Sequence, residues 1–392
     1  MDQLPVFTTL ELILLSVTAV FFVVQLLYYT VTYFRPCRRV KQLESLPGLS
    51  EQPPVSIIVY AKNESQNLGK HLPMLLKQNY GEYEVIVIND GSTDESDEVL
   101  AKYESEYSHL YHTFIPQESR YLSRRKLSLT LGIKAAKYDI LFFIEANCRP
   151  LSYEWLANMV RNYDEKAMIV LGYCAYTEHK GFFHKLVGYD NLLEGLQYIS
   201  ASLIDRPYSG NGRNLSYRKK LFFEHKGYSH SLSLHAGDDD LFINESATRE
   251  NTRVEYAIDS ITEMTPIDYF SVWKEMKVSR AATQRHYQGT RLLFYRAETL
   301  SLILFLLGAV ASVVVGCIFN NLLIIGIAVL LYLILYVVKV VVLSKSAAML
   351  RQKLSAALLP LLEISRVSID IYVLIYRAFR GKKDYTFTFG GK

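Results

Sequence analysis

The chain has 392 residues, half of them hydrophobic, and a formal net charge of +4. That length leaves room for one large soluble domain plus membrane segments and excludes two independent large domains. The mild basicity gathers beside apolar segments, which points to anionic lipid and away from nucleic acid. Four cysteines (Cys37, Cys148, Cys174, Cys317) have neither pairing nor metal-ligand spacing and read as reduced packing residues.

Leu12 to Phe34 is almost uncharged and long enough to cross a bilayer. Asp2 and Glu11 lie on its amino side, while Arg35, Arg38, Arg39 and Lys41 follow it. The positive-inside rule then predicts an outside N-terminus and a cytoplasmic domain after the span. A cleaved signal peptide would carry its positive charge first and have a shorter apolar region. Residues 1–34 are therefore read as an anchor and 35–52 as a juxtamembrane linker.

From 53 to 296, strand and helix patterns alternate. Val55 to Tyr60 is a buried strand, and the polar turn Lys62-Asn63-Glu64-Ser65 opens a helix. Val85 to Ile88 is a second strand that stops on Asn89-Asp90-Gly91-Ser92-Thr93-Asp94. Gly91 permits a tight turn, and Ser92 or Thr93 can cap a helix whose first turn carries Asp94 and Glu95. Taken alone this is ordinary turn chemistry, but the carboxyl end of a buried parallel strand is also where open α/β sheets bind ligands. The stretch Glu104 to Glu118 reads as a surface connection. Leu127 to Ala136 is predicted helical, and Ile140 to Ile144 is a third strand ending on a carboxylate, Glu145. The alternation predicts an α/β, Rossmann-like domain with a mostly parallel sheet and flanking helices, three polar strand ends meeting at one edge.

Leu300 to Phe319 and Leu322 to Leu343 form two candidate transmembrane helices around Asn320-Asn321. Arg291 and Arg296 precede this hairpin (297–343), and Lys345, Arg351 and Lys353 follow it, so both its ends belong in the cytoplasm. In Leu354 to Phe379, Glu363, Arg366, Asp370 and Arg377 fall on one narrow helical face. A spanning helix would bury those charges and leave Arg380, Lys382 and Lys383 outside. Residues 344–392 therefore read as an amphipathic helix on the inner membrane surface with a basic tail.

Seven short motifs in order carry a family resemblance. They are Val55-Ser-Ile-Ile-Val59 with Asn63-Glu64, Asn89 to Asp94, Arg125-Lys126 before Leu129-Thr-Leu-Gly-Ile133, and Glu145-Ala-Asn-Cys-Arg-Pro150 with Trp155 beyond. Gly210-Asn-Gly-Arg-Asn-Leu-Ser-Tyr-Arg218, Gly237-Asp-Asp-Asp-Leu-Phe242 and Arg285-His286 complete the set. Together they resemble a membrane-anchored family 2 glycosyltransferase with a GT-A fold. No Gly-x-Gly-x-x-Gly follows the first strand, which disfavours a dinucleotide-binding dehydrogenase.

The resemblance implies a nucleotide-sugar donor, a UDP-sugar by similarity. Asp90 would accept a hydrogen bond from uracil, with Lys62 and Glu64 beside the nucleoside. Arg125 or Lys126 would lie near the phosphates; a solvated basic helix start is the other reading of that pair. The family's Asp-x-Asp metal motif reads Glu145-Ala146-Asn147 here, a poorer donor set for Mg or Mn. It leaves three readings: a weaker metal site, a site completed elsewhere, or a degenerate enzyme. Asp238 and Asp239 match the acidic base motif, with Asp239 as the base; neighbouring carboxylates raise at least one pKa. The other reading of this cluster is an exposed acidic helix start. Ala282 to His286 matches the Gln-x-x-Arg-Trp motif of processive synthases only in Arg285, a potential phosphate clamp, with His286 near the acceptor.

The expected function is inverting transfer of a hexosyl or N-acetylhexosaminyl group from a nucleotide sugar to a membrane-proximal glycan or lipid-linked acceptor. It would take place on a protein of the inner (cytoplasmic) membrane that touches membrane lipid and no nucleic acid. The alternatives are a processive polysaccharide synthase and a catalytically degenerate nucleotide-sugar-binding partner of another membrane enzyme.

Overall fold

The computed structural model describes residues 7–49, 51–115 and 123–380; Asp2, Glu118, Lys382 and Lys383 lie outside the described residues. Helix α1 (Thr9–Leu27) starts on a reciprocal cap between Thr8 and Glu11 and passes through a π-helical segment, Tyr28–Tyr33, into α2 (Arg35–Glu44). The sheet domain then follows as β1 (Val55–Ala61), α3 (Ser65–Leu76), β2 (Tyr83–Asn89), α4 (Ser96–Glu106), β3 (Leu110–Phe114), α5 (Arg124–Ala135) and β4 (Ile140–Glu145). Next come β5 (Cys148–Pro150), α6 (Trp155–Val160), β6 (Ile169–Leu171), β7 (Cys174–Tyr176), α7 (Phe182–Ser202), β8 (Leu215–Arg218) and α8 (Lys219–Glu224). The domain closes with α9 (Asp240–Ser246), β9 (Thr252–Val254), β10 (Thr262–Met264) and α10 (Phe270–Thr283); the chain ends in α11 (Arg291–Ile318), α12 (Leu322–Met349) and α13 (Leu359–Phe379).

Seven strands line up as β3-β2-β1-β4-β8-β6-β9. The β3-β2-β1-β4 half is parallel, β8 runs antiparallel to β4 and β6, and β9 pairs parallel with β6. Helices cover both faces of the parallel half, so Val55, Ile57, Val85, Val87, Leu141 and Phe142 are wholly buried. Each such apolar side chain stabilises the fold by about 1.5–3 kcal/mol relative to exposure. Register fixes the working edge: Ala61 pairs with Asn89, and Tyr60 with Glu145, so all three strands end at one level. A second sheet, β5-β10-β7, sits beyond the end of β4.

The stretch expected as a surface connection instead contains the end of α4 and the edge strand β3, paired with β2. Only Leu110 of β3 is buried while Tyr111 and Phe114 are exposed, so the strand lacks the apolar run that marks its neighbours.

Three helices among the described residues are long and apolar enough to cross a membrane: the run Thr9–Glu44, α11 and α12. α1 and α11 lie antiparallel and close, since a Cβ at Gly308 would come within 2.6 Å of Thr18 Oγ1. Asn321, at the turn between α11 and α12, donates to Glu11 Oε1 at 3.0 Å. At the opposite end Gln25 donates to the Glu298 carbonyl and Ser301 Oγ. α13 is amphipathic, as expected, but its charged face turns inward. Glu363 pairs with Lys339 of α12, Arg366 with Asp190 of α7, and Asp370 with Lys277 of α10, while Arg377 donates to the Ala281 carbonyl. Leu361, Ile364, Ile371, Leu374 and Ile375 form its exposed apolar side.

Candidate active site

The ends of β1 and β2 make the first part of the site. Asn63, at a left-handed φ of 53°, donates its N–H to Ser92 Oγ at 2.8 Å and accepts from the Thr93 N–H at 2.8 Å. Ser65 N–H donates to Asp94 Oδ2 at 2.9 Å, which ties the two strand-end turns together. Gly91 takes φ 65°, the left-handed turn its sequence context predicted. Asp90 is 1% exposed; Arg124 Nε donates to its Oδ1 at 2.6 Å, Tyr60 Oη to its Oδ2 at 2.8 Å, and Lys62 Nζ lies 3.6 Å from Oδ2. Glu64 accepts from Asn67 Nδ2, and burial raises its pKa.

The three consecutive cations at the start of α5 reach three different places. Arg124 goes to Asp90; Arg125 bridges Glu145 (2.8 Å) and Asp238 (2.8 Å) with its guanidinium over the Tyr60 ring. Lys126 is buried and donates to the carbonyls of Ser231, Leu234 and Ala236, and burial lowers its pKa to about 8. Its ammonium positions the loop that leads to the acidic cluster and does not face the cavity.

Glu145 ends β4 between two guanidinium groups. Burial opposes its ionisation, but Arg125 and Arg213 outweigh that and hold its pKa below the ordinary carboxylate value. Arg213 lies 3.7 Å from Glu145 Oε2 and donates to Tyr176 Oη at 3.2 Å. The loop carrying Arg213 is pinned by Asn214, which accepts from the Trp155 indole at 3.1 Å and donates to the carbonyls of Tyr173 and Ser260. Trp155, part of the recognised motif, thus acts here through packing.

The three aspartates separate into distinct environments. Asp238 is buried against Arg125, and burial raises its pKa. Asp240 accepts from Thr283 Oγ1 and Tyr287 Oη; burial, with the neighbouring Asp239 charge, raises its pKa to about 6. Asp239 is the least buried of the three. Its Oδ2 accepts from the Gly212 N–H at 2.9 Å, and its Oδ1 from the Asp240 N–H at 2.7 Å. Burial would raise its pKa as well, but Arg280, these N–H groups and Arg125 hold it below the ordinary aspartate value. The carboxylate aligned with the base is therefore ionised at neutral pH. Gly237, at φ 96°, provides the turn into this cluster, and a Cβ at Gly212 would meet that of Asp239 at 3.3 Å.

Asp239, Arg125, Glu145 and Arg213 line a cavity of about 620 Å³ together with Lys277 and Arg280. Asp90, Lys62 and Glu64 lie outside its lining. Arg285 and His286 are exposed on the turn after α10 and also do not line it. Arg280 takes the inner place instead, paired with Glu194 at 2.6 Å and donating to Ser209 Oγ. The sequence contains a signal for it: Trp273, Lys277 and Arg280 share one face at helical spacing.

Glu145 and Asn147 are one carboxylate and one carboxamide, and the carboxylate is already compensated by two arginines. No group of three His, Cys, Asp or Glu side chains forms a metal site among the described residues. This donor set is too small to hold Mg or Mn alone. It fits an ion that arrives with a diphosphate, because Mg takes one or two protein oxygens and fills its sphere with phosphate and water.

Residues 56–222 match the glycosyl transferase family 2 model. The chain is 31% identical over 110 residues to glycosyltransferase AglE of Haloferax volcanii, covering 27% of this chain and 34% of that protein. It is 29% identical over 130 residues to the poly-beta-1,6-N-acetyl-D-glucosamine synthase of Staphylococcus epidermidis, covering 33% of this chain and 30% of the synthase. The matched segments thus span about a third of those relatives' length. In three dimensions the chain resembles the mannosyltransferase PcManGT of Pyrobaculum calidifontis, solved with GDP-Man and Mn2+. The TM-score is 0.56 at 18% identity, with 87% of this chain and 98% of that one covered. The fold, the ordered motifs and the family match agree: residues 56–222 match glycosyl transferase family 2, within a GT-A fold.

Proposed function

We propose that the protein is an inverting glycosyltransferase that takes a sugar from a nucleotide donor, a UDP-sugar, and gives it to a membrane-proximal acceptor. The observation that carries this reading is Asp239, an ionised carboxylate beside Arg280 on a large cavity that Arg213 also lines. Asp90 accepts a hydrogen bond from the base, with Lys62 and Glu64 at the nucleoside. Arg213 and Arg280 face the diphosphate and offer fixed positive charge where the leaving group becomes more negative. Arg125 and Asp238 form the bridge that holds Glu145 and the acidic loop in place. Asp239 takes the proton of an acceptor hydroxyl; that oxygen attacks the anomeric carbon as the bond to the diphosphate breaks. The electron pair leaves with the nucleoside diphosphate, and Asp239 ends the step protonated. When a divalent ion is bound with the donor, Glu145 and Asn147 would hold it, and it would add positive charge at the diphosphate.

The run Thr9–Glu44, α11 and α12 would cross the membrane, with Arg35, Arg38, Arg39 and Lys41 on the cytoplasmic side beside the sheet domain. α13 would lie at that surface with its apolar side toward lipid.

The test is the stereochemistry and length of the product. An α-linked donor should yield a β-linked product carrying one added sugar, read by NMR and mass spectrometry. Retained configuration would remove the inverting mechanism. A ladder of lengthening products would favour the processive synthase.

A further inference from the structure

A second cavity, of about 380 Å³, opens between α11 and α13. It shares Asp190, Glu194, Lys277 and Arg280 with the first cavity, so the two spaces meet at the arginine that lies beside Asp239. Its outer walls are apolar: Leu300 and Ile303 of α11 on one side, Val367, Ile371 and Leu374 of α13 on the other. Leu300, Ile371 and Leu374 are exposed, and α11 is a candidate membrane span. An apolar groove that runs from a membrane helix to a polar reaction site suits an amphiphile.

One polar group marks where a head group would sit. Lys277, Arg280 and Arg366 are each paired with Asp190, Glu194 or Asp370. Arg296 lines the same groove, is exposed, donates only to the Gln284 side-chain oxygen at 3.2 Å, and makes no ion pair among the described residues. A guanidinium without a carboxylate partner on an apolar groove is complementary to an anionic oxygen.

We propose that this groove binds the acceptor as a lipid phosphate bearing a sugar or polyol. Its tail lies between α11 and α13, its phosphate meets Arg296, and its free hydroxyl passes Arg280 to Asp239. The assignment rests on the reading of the first cavity as the transfer site. It places the reaction after one that has already joined a hydroxyl-bearing head to a lipid phosphate.

The test uses the full chain in phosphatidylcholine nanodiscs doped with an alkyl phosphate carrying a tail diazirine, with an uncharged alkyl alcohol of the same tail as comparison. After irradiation, the phosphate probe should concentrate in peptides of 291–303 and 366–374 over those of α1, whereas the alcohol should label all lipid-facing helices alike. Arg296→Ala should reduce the groove label about tenfold, the loss expected for a charge-assisted hydrogen bond. Leu374→Trp, which fills the groove and keeps its charges, should reduce it too. Even labelling of α1, α11 and α12, equal labelling by both probes, or label unchanged by either variant would overturn the proposal. UDP binding measured on the same preparation separates the two readings: groove label that persists without UDP binding supports the groove and counts against the donor site.

Discussion

Asp90 and Asp239 are both carboxylates at the ends of secondary-structure elements, but they sit in opposite kinds of surroundings. Asp90 is enclosed by two turns tied to each other by short hydrogen bonds, and its partners come from β1 and the start of α5. Asp239 borders a wide cavity whose charges arrive from β4, the loop before β8, and α10. On the proposed reading Asp90 marks the nucleoside half of the site, preorganised by neighbouring turns, and Asp239 marks the transfer half. In the transfer half, carboxylates and guanidinium groups compensate one another and must be redistributed when a donor binds. Base recognition should therefore survive changes that abolish transfer.

The largest effect expected from breaking this contrast is at Asp239. Asp239→Asn should lower turnover about 10²–10⁴-fold, the usual contribution of a general base, with UDP affinity nearly unchanged by calorimetry. Arg213→Ala should weaken nucleotide-sugar binding about 10–100-fold, as for a lost charge-assisted contact, and should weaken the nucleoside alone far less. Asp90→Ala should do the reverse, costing about tenfold in UDP affinity while inorganic pyrophosphate binding stays unchanged. If pyrophosphate binding fell equally, the two halves would not be separable.

Those tests also show what was legible from the sequence. The β2 turn was readable because its apolar run, Gly91 and capping residues are contiguous, so local chemistry decides the structure. Arg124, Arg125 and Lys126 were not separable, because successive helix residues point about 100° apart and only the fold decides which target each finds. Arg124 reached Asp90, Arg125 reached Glu145 and Asp238, and Lys126 went to three carbonyls. Arg280 belongs to none of the family motifs: the resemblance points to Arg285, five residues beyond Arg280, which is the last basic residue of the helix face that enters the cavity. Likewise the charged stripe of α13 reads in sequence as the polar side of a membrane-surface helix, whereas its partners Asp190 and Lys277 lie far away in sequence.

Two smaller effects sharpen the transfer half. Mn should bind the free protein weakly and tightly only with UDP, followed by the loss of its free EPR signal; Glu145→Gln should reduce that coupling severalfold. Equal Mn binding with and without UDP would mean a site held by protein alone. The smallest effect is on pH. Asp240 is protonated below about 6 and ionised above it. Rising pH thus adds negative charge beside Asp239 and strengthens it as a base. Turnover should climb through pH 6 in the wild type, and Asp240→Asn should flatten that limb.

The most direct measurement is nucleotide release by the purified full chain, in membrane lipid, across a panel of nucleotide sugars with and without Mn. The account predicts that at least one UDP-sugar turns over, with UDP released in proportion to glycosylated lipid. Tight UDP binding with no turnover of any donor under any metal condition would contradict it and make the protein a nucleotide-sugar-binding partner of another enzyme.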